Sequence, residues 1–294
     1  MLPDGYRVTL EHQGSHWWYR ARRELFLRQV RRAARGLPLA RPPATTPRPL
    51  ALLDYGCASG FDLECLAALG LGTVEGADIV HVHAHAHLHA GQVLEVPSPP
   101  AGARDGGSGA AAPIHIVPRD LPGLRGRFDI ITCLDVLEHL DDDVAGLRTL
   151  GTLLVPGGQI VATVPAYGWL WSGEDEISQH RRRYTRGRLL RVCRAAGFEI
   201  LYASYFNLGL LPAMAAVIWW RRLTHARWRA ESNLTVGGDR AGLARTVARL
   251  LTALEARAVG GQWVRLPAGA SLVCRLRRPP ADDRAPARPR DVAA

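Results

Sequence analysis

The chain has 294 residues, 47% hydrophobic and 22% charged, with 37 basic against 27 acidic side chains and a formal net charge of +10. That composition excludes a disordered chain, and the length is ample for a self-standing core. Five scattered cysteines without CxxC or zinc-type spacing exclude a disulfide framework and imply reduced thiols in the cytoplasm. All basic residues are Arg, and the charge is segregated. Residues 1–49 hold 10 Arg and 3 acids, residues 50–180 hold 5 and 17, and residues 181–294 hold 22 and 7. With Asp4 and Glu11 and no apolar run at the start, no secretory signal is expected.

In chain order, residues 15–35 read as an amphipathic helix with Ser15 as N-cap. A Pro-rich linker follows, to Pro49. Residues 50–54 form a short buried strand entering a Gly-containing turn, and residues 61–69 the helix after it. Strands follow at 73–78, 114–117, 128–134 and 159–164, with a helix over 144–153 and a turn at Pro156-Gly157-Gly158. A helix over 186–196, strands at 199–205 and 271–276, and a helical insertion between them complete the pattern. The stretch 81–113 is a His-rich run followed by low-complexity Gly/Pro sequence.

Strands alternating with helices imply a doubly wound sheet. The expected division is a cap helix and linker (1–49), a core (50–206), a helical insertion (207–265), the last core strand (266–278) and a disordered tail (279–294). Such sheets bind ligands at the carboxyl ends of their strands, where the strand order reverses.

The first turn reads Asp54-Tyr55-Gly56-Cys57-Ala58-Ser59-Gly60. It lacks the GxGxxG spacing of a dinucleotide site. An acid ending the strand repels a pyrophosphate and attracts an ammonium group, which favours a cationic, amino-acid-bearing ligand over NAD. The competing reading of Asp54 is a turn-capping carboxylate. Asp78 ends the second strand, where a carboxylate can accept two ribose hydroxyls; a helix N-cap is the alternative. Asp120 and Leu121 follow the third strand, and the fourth leads into Cys133-Leu134-Asp135-Val136-Leu137-Glu138-His139.

This series resembles the class I S-adenosylmethionine-dependent methyltransferases, with Ala58 in place of the middle glycine of GxGxG. His16–Arg23 (His-Trp-Trp-Tyr-Arg-Ala-Arg-Arg) and His180–Thr185 resemble a bacterial subgroup of them, over about residues 12–278. The resemblance implies a Rossmann-like, doubly wound seven-stranded α/β sheet and S-adenosyl-L-methionine as cofactor. Asp54, Gly56, Cys57, Ala58 and Gly60 would hold its methionine end, Asp78 and Ile79 its ribose, and Asp120 and Leu121 its adenine. Cys133, Leu134 and Asp135 would floor the site near the sulfonium.

Two aromatic- and Arg-rich segments are expected over the same sheet edge: Trp17, Trp18, Tyr19 and Arg20, then Tyr167, Trp169, Trp171, Arg181 and Tyr184. They suit a substrate with an apolar body and an anionic group; the alternative is that the aromatics pack the lid. His180 is the expected base where one is needed, and His139 is either a second chemical group or a packing histidine. The five His at 81–89 lack companion ligands, so no metal is expected. Residues 200–220 carry no charge, but Asn207, Gly209 and Pro212 interrupt the run. It reads as strand and buried helix, as a dimer face, or as an interfacial segment with Arg221 and Arg222 behind it.

The expected activity is methyl transfer to an anionic small-molecule or lipid-linked acceptor, at the cytoplasmic face of an anionic membrane or in the cytosol. Nucleic-acid methylation through the Arg runs, and a non-catalytic cofactor-binding regulator, are the alternatives.

Overall fold

In the computed structural model, the described residues are 16–37, 48–58, 60–77, 93–94, 114–116, 121–224 and 242–280. Helix α1 (Trp17–Arg35) opens the fold. It is capped by His16, whose Nδ1 accepts from the Trp18 amide at 3.3 Å; Ser15, the expected cap, lies outside the described residues.

Eight strands form one sheet: β1 (Leu50–Tyr55), β2 (Gly72–Ala77), β3 (Val93–Leu94), β4 (Ile114–Ile116), β5 (Phe128–Leu134), β6 (Leu154–Pro165), β7 (Glu199–Phe206) and β8 (Ser271–Arg277). Their order is β3-β4-β2-β1-β5-β6-β8-β7. All seven expected strands are present, and the two-residue β3 adds an antiparallel edge to β4. β6 starts earlier than expected because Pro156-Gly157-Gly158 lies within it, beside a register shift between Phe128 and Ile130. β8 runs antiparallel between β6 and β7.

Helices α2 (Phe61–Ala67), α3 (Asp143–Leu153), α4 (Gly173–Ile177), α5 (Arg186–Ala195), α6 (Leu211–Leu223) and α7 (Leu243–Gly260) complete the described residues. Strand alternation sends Leu52, Ile130 and Val161 to one face, where Phe26 and Val30 of α1 and Leu63 and Leu66 of α2 bury against them. Leu53, Ile131 and Ala162 face the other way, onto Leu147 and Leu150 of α3 and Leu189 and Cys193 of α5. Ala256 and Val259 of α7 pack with Leu25 of α1 beside Tyr202 and Val273. All seven residues of β5 are buried, as a central parallel strand requires.

The apolar run 200–220 divides into β7 and α6. No helix among the described residues is long and apolar enough to cross a membrane. The 81–89 histidines lie outside the described residues.

Candidate active site

The strand order reverses between β1 and β5, so a cleft is expected at their carboxyl ends. Asp54 ends β1 there, 2% exposed. Parallel register sets it beside Thr132 of β5, whose hydroxyl donates to Asp54 Oδ1 at 2.6 Å. The turn beyond is tight: the Gly56 amide donates to Ala77 O at 2.7 Å, and Gly60 N to Cys57 O at 2.8 Å. Gly56 (φ +86°) and Gly60 (φ +81°) use the left-handed region that glycine enters freely. A Cβ on Gly56 would lie 2.4 Å from Val136 Cγ2, so this glycine lets the first turn close against the segment after β5. Ala58, at the departure from GxGxG, also takes a left-handed conformation (φ 44°).

This turn fits the methionine end of S-adenosylmethionine: a buried carboxylate at the strand end, followed by a sharply curved backbone with little side chain. Cys57 is buried at the base of the turn. Leu121 begins a short 3-10 turn; Asp78, Ile79 and Asp120 lie outside the described residues. Of the expected floor residues, Cys133 is fully buried within the core beneath the site, and Leu134 is 8% exposed. Asp135, with φ 55°, turns its carboxylate to the rim. It accepts from Thr163 Oγ1 at 2.9 Å and pairs with Arg22 at 2.6 Å. Burial disfavours the Arg22 charge most, but Asp135, Asp62 and the other acidic groups around it together outweigh burial and hold its pKa above the ordinary arginine value.

Arg22 thus brings α1 to the rim. Trp18 lies beneath its guanidinium at 5.8 Å and meets Tyr19 edge-on at 4.9 Å. Trp17 is part-buried against His16, and Arg20 is exposed. The second expected cover begins at Tyr167 (φ 55°), stacked between Trp169 at 5.6 Å and Tyr205 at 5.1 Å. Burial and Tyr205 push the Tyr167 hydroxyl up to about 12. Trp169 is 43% exposed, and Trp171 is part-buried.

Tyr184 departs from the expected substrate role. It is fully buried and donates to Asp143 Oδ2 at 2.8 Å, so the core takes it up. The neighbouring arginines bond along the same seam, Arg181 from an exposed position. The Arg181 amide donates to Glu138 O at 2.9 Å and its Nε to His139 O at 3.0 Å; Arg182 donates to Leu140 O and Asp141 O. These bonds tie the segment after β6 to the segment after β5.

His139 and His180 meet at the centre of that seam, their rings edge-on with centroids 4.7 Å apart. Burial, and then His180, depress the His139 pKa to about 4, leaving it neutral. His180 Nδ1 lies 2.8 Å from Asp175 Oδ1, and Arg183 grips both Asp175 oxygens at 2.7 and 2.9 Å. Burial alone would raise the Asp175 carboxyl, but the bonds from His180 and Arg183 outweigh it and hold it at about 2. Because that carboxylate only accepts, Nδ1 carries a proton, and Nε2 is the ring nitrogen turned away from Asp175.

Nε2 lies 3.9 Å from Oε1 of Glu138, which is fully buried with neither carboxyl oxygen hydrogen-bonded. Burial and the nearby Asp135 push the Glu138 pKa well up. Ligand atoms of Glu138, His139 and His180 all fall within 4.8 Å of one another. Sequence reasoning missed Arg22, Asp175 and Arg183. The i, i+5 and i, i+8 spacings of Asp175 to His180 and Arg183 match no regular element and left no signal.

The methyltransferase-domain family matches residues 11–203 of the chain. Among curated relatives, the ubiquinone biosynthesis O-methyltransferase of Aromatoleum aromaticum is 30% identical over 165 residues, covering 50% of this chain and 63% of that protein. The protein of the same name from Caulobacter sp. (strain K31) is 35% identical over 118 residues, covering 39% and 41%. The chain thus spans less than two thirds of the length of these relatives. A chain in the complex of the Haloferax volcanii Trm112 methyltransferase activator with a methyltransferase shares the fold, with a TM-score of 0.50 and 12% identity over 92% of this chain and 94% of that one. With the family match spanning more than half of its length, and the buried acid and left-handed turn in place at the reversal of strand order, the chain belongs to the class I S-adenosylmethionine-dependent methyltransferases.

Proposed function

We propose that the chain methylates an ionisable hydroxyl or other anionic group on a small-molecule or lipid-linked acceptor. The observation that carries this reading is the Asp175–His180 pair, 2.8 Å apart beside buried Glu138. S-adenosylmethionine supplies an activated methyl group when bound. Asp54 and the 56–60 turn would hold its amino-acid end, and Asp78 its ribose.

Asp175 fixes the imidazole so that His180 Nε2 can take a proton from an acceptor hydroxyl as it becomes nucleophilic. Buried Glu138 and part-buried His139 leave the surroundings poorly hydrated, which strengthens the hold of the Asp175 charge on the imidazole as it takes up the proton. Trp18, Tyr167 and Trp169 offer flat apolar surface for the acceptor body. The two relatives are named as ubiquinone biosynthesis O-methyltransferases, which supports an oxygen atom as the methyl acceptor. The inward use of Arg182 and Arg183 removes part of the basic run that a nucleic-acid backbone would meet.

Transfer of labelled methyl into a native cell extract tests this. Label in lipid or small molecules supports it. Label in nucleic acid overturns the acceptor class, and cofactor binding with no transfer to any fraction supports the regulatory alternative. A His180→Asn variant should lose turnover while keeping cofactor affinity.

A further inference from the structure

Helices of a water-facing protein turn their apolar stripe inward. α6 and α7 do the reverse over part of their surface. On α6, Trp219, Trp220 and Leu223 are 59, 69 and 73% exposed, while Ile218 alone is fully buried. On α7, Val247, Leu250, Leu251 and Leu254 recur at i, i+3, i+4 and i+7, the spacing of one helical face, and all four are exposed. The opposite face of α7 carries Thr252, Ala256 and Val259 into the core. The two surfaces adjoin where a Cβ on Gly209, just before α6, would lie 3.7 Å from Leu251 Cβ.

Charge selects the partner. α6 has no acid, and α7 has one, Glu255, which is turned inward to accept from the Leu208 and Gly209 amides at 3.0 and 3.4 Å. Arg222, next to Leu223, and Arg257, one turn beyond Leu254, are exposed beside the apolar residues. Apolar side chains with tryptophan, flanked by arginine and without an outward carboxylate on either helix, match the boundary between headgroups and acyl chains of an anionic bilayer.

We infer that α6 and α7 form a docking surface for an anionic lipid bilayer. Leu211, Met214 and Ile218 of α6 pack with Leu170 and Tyr167 of the segment that covers the site, and Arg222 donates to Trp171 O at 3.4 Å. A bilayer held on this surface therefore lies beside the Tyr167–Trp171 segment assigned to the acceptor under the proposed function. The inference stands on the surface itself and survives failure of any acceptor assignment.

Flotation of the full chain with vesicles tests it, using phosphatidylcholine alone and phosphatidylcholine with phosphatidylglycerol. Binding is expected with the anionic vesicles at low salt, at least tenfold weaker with the neutral ones or in high salt. Leu250→Glu/Leu254→Glu and Trp219→Ala/Trp220→Ala should each weaken binding about tenfold while melting temperature and cofactor affinity hold. No binding to anionic vesicles overturns the inference. So does undiminished binding by both folded variants, or a dimer that dissociates in these variants without vesicle binding in the parent chain.

Discussion

Arg22 of α1 lies 2.6 Å from Asp135 at the carboxyl end of β5, an ion pair joining the first helix to the rim of the sheet. The arginine is 12% exposed at its side chain and the aspartate 33%, so solvent screens the pair in part. Arg22→Ala should cost about 1–2 kcal/mol in denaturant unfolding, less than the about 3–5 kcal/mol of a fully buried pair. It should also speed hydrogen exchange at residues 17–22 relative to the buried half of α1. Unchanged exchange there would show that packing alone seats the helix.

Asp54 is fixed by Thr132, and Asp78 follows directly on the end of β2. Asp54→Ala and Asp78→Ala should each weaken S-adenosylmethionine binding at least tenfold, about 1.4 kcal/mol or more. Calorimetric titration reads this, and unchanged affinity in both variants would overturn the site.

Ala58 holds a left-handed conformation in an exposed part of the turn. A residue with a Cβ pays about 1–2 kcal/mol there, and glycine does not. Ala58→Gly should therefore raise stability by up to about 1 kcal/mol, its added unfolded-state freedom offsetting part of the gain, with cofactor affinity kept. Gly56→Ala should do the opposite, because its new Cβ meets Val136. Paired melting curves separate the two outcomes.

Asp175 is fully buried between His180 and Arg183. Asp175→Ala leaves a buried guanidinium unpaired, so a loss of about 3–5 kcal/mol is expected. The milder Asp175→Asn should fold and lower turnover more than cofactor affinity, since it unsettles the His180 tautomer. Equal loss of both quantities would assign Asp175 a purely architectural role.

His139 titrates at about 4 in the fold, below the ordinary histidine value of 6.5. Between those two values the unfolded chain binds the extra proton, so this group lowers stability as pH falls from about 6.5 towards 4 and contributes nothing above it. His139→Gln should flatten that part of the acid limb. Melting temperatures of both proteins from pH 4 to pH 8 check it; parallel curves would mean that His139 is not the titrating group.

The sequence by itself determined the strands, the Gly-containing turn and its acid, because apolar runs and turn residues act over a few neighbours. Phe128–Leu134 was legible to the residue, since a fully buried parallel strand is apolar throughout. β3 was not, because two residues carry no period. Only the tertiary structure decided that Arg22 rather than Arg20 reaches the rim, since helix phase against the sheet depends on which side chains α1 buries. It alone withdrew Tyr184 into the core and assembled Asp175, Arg183 and His180, whose pairing follows from how one irregular segment folds over another. It also turned the leucines of α7 outward. Periodicity marks the apolar face of a helix, and only its packing decides whether that face meets the core or the surroundings.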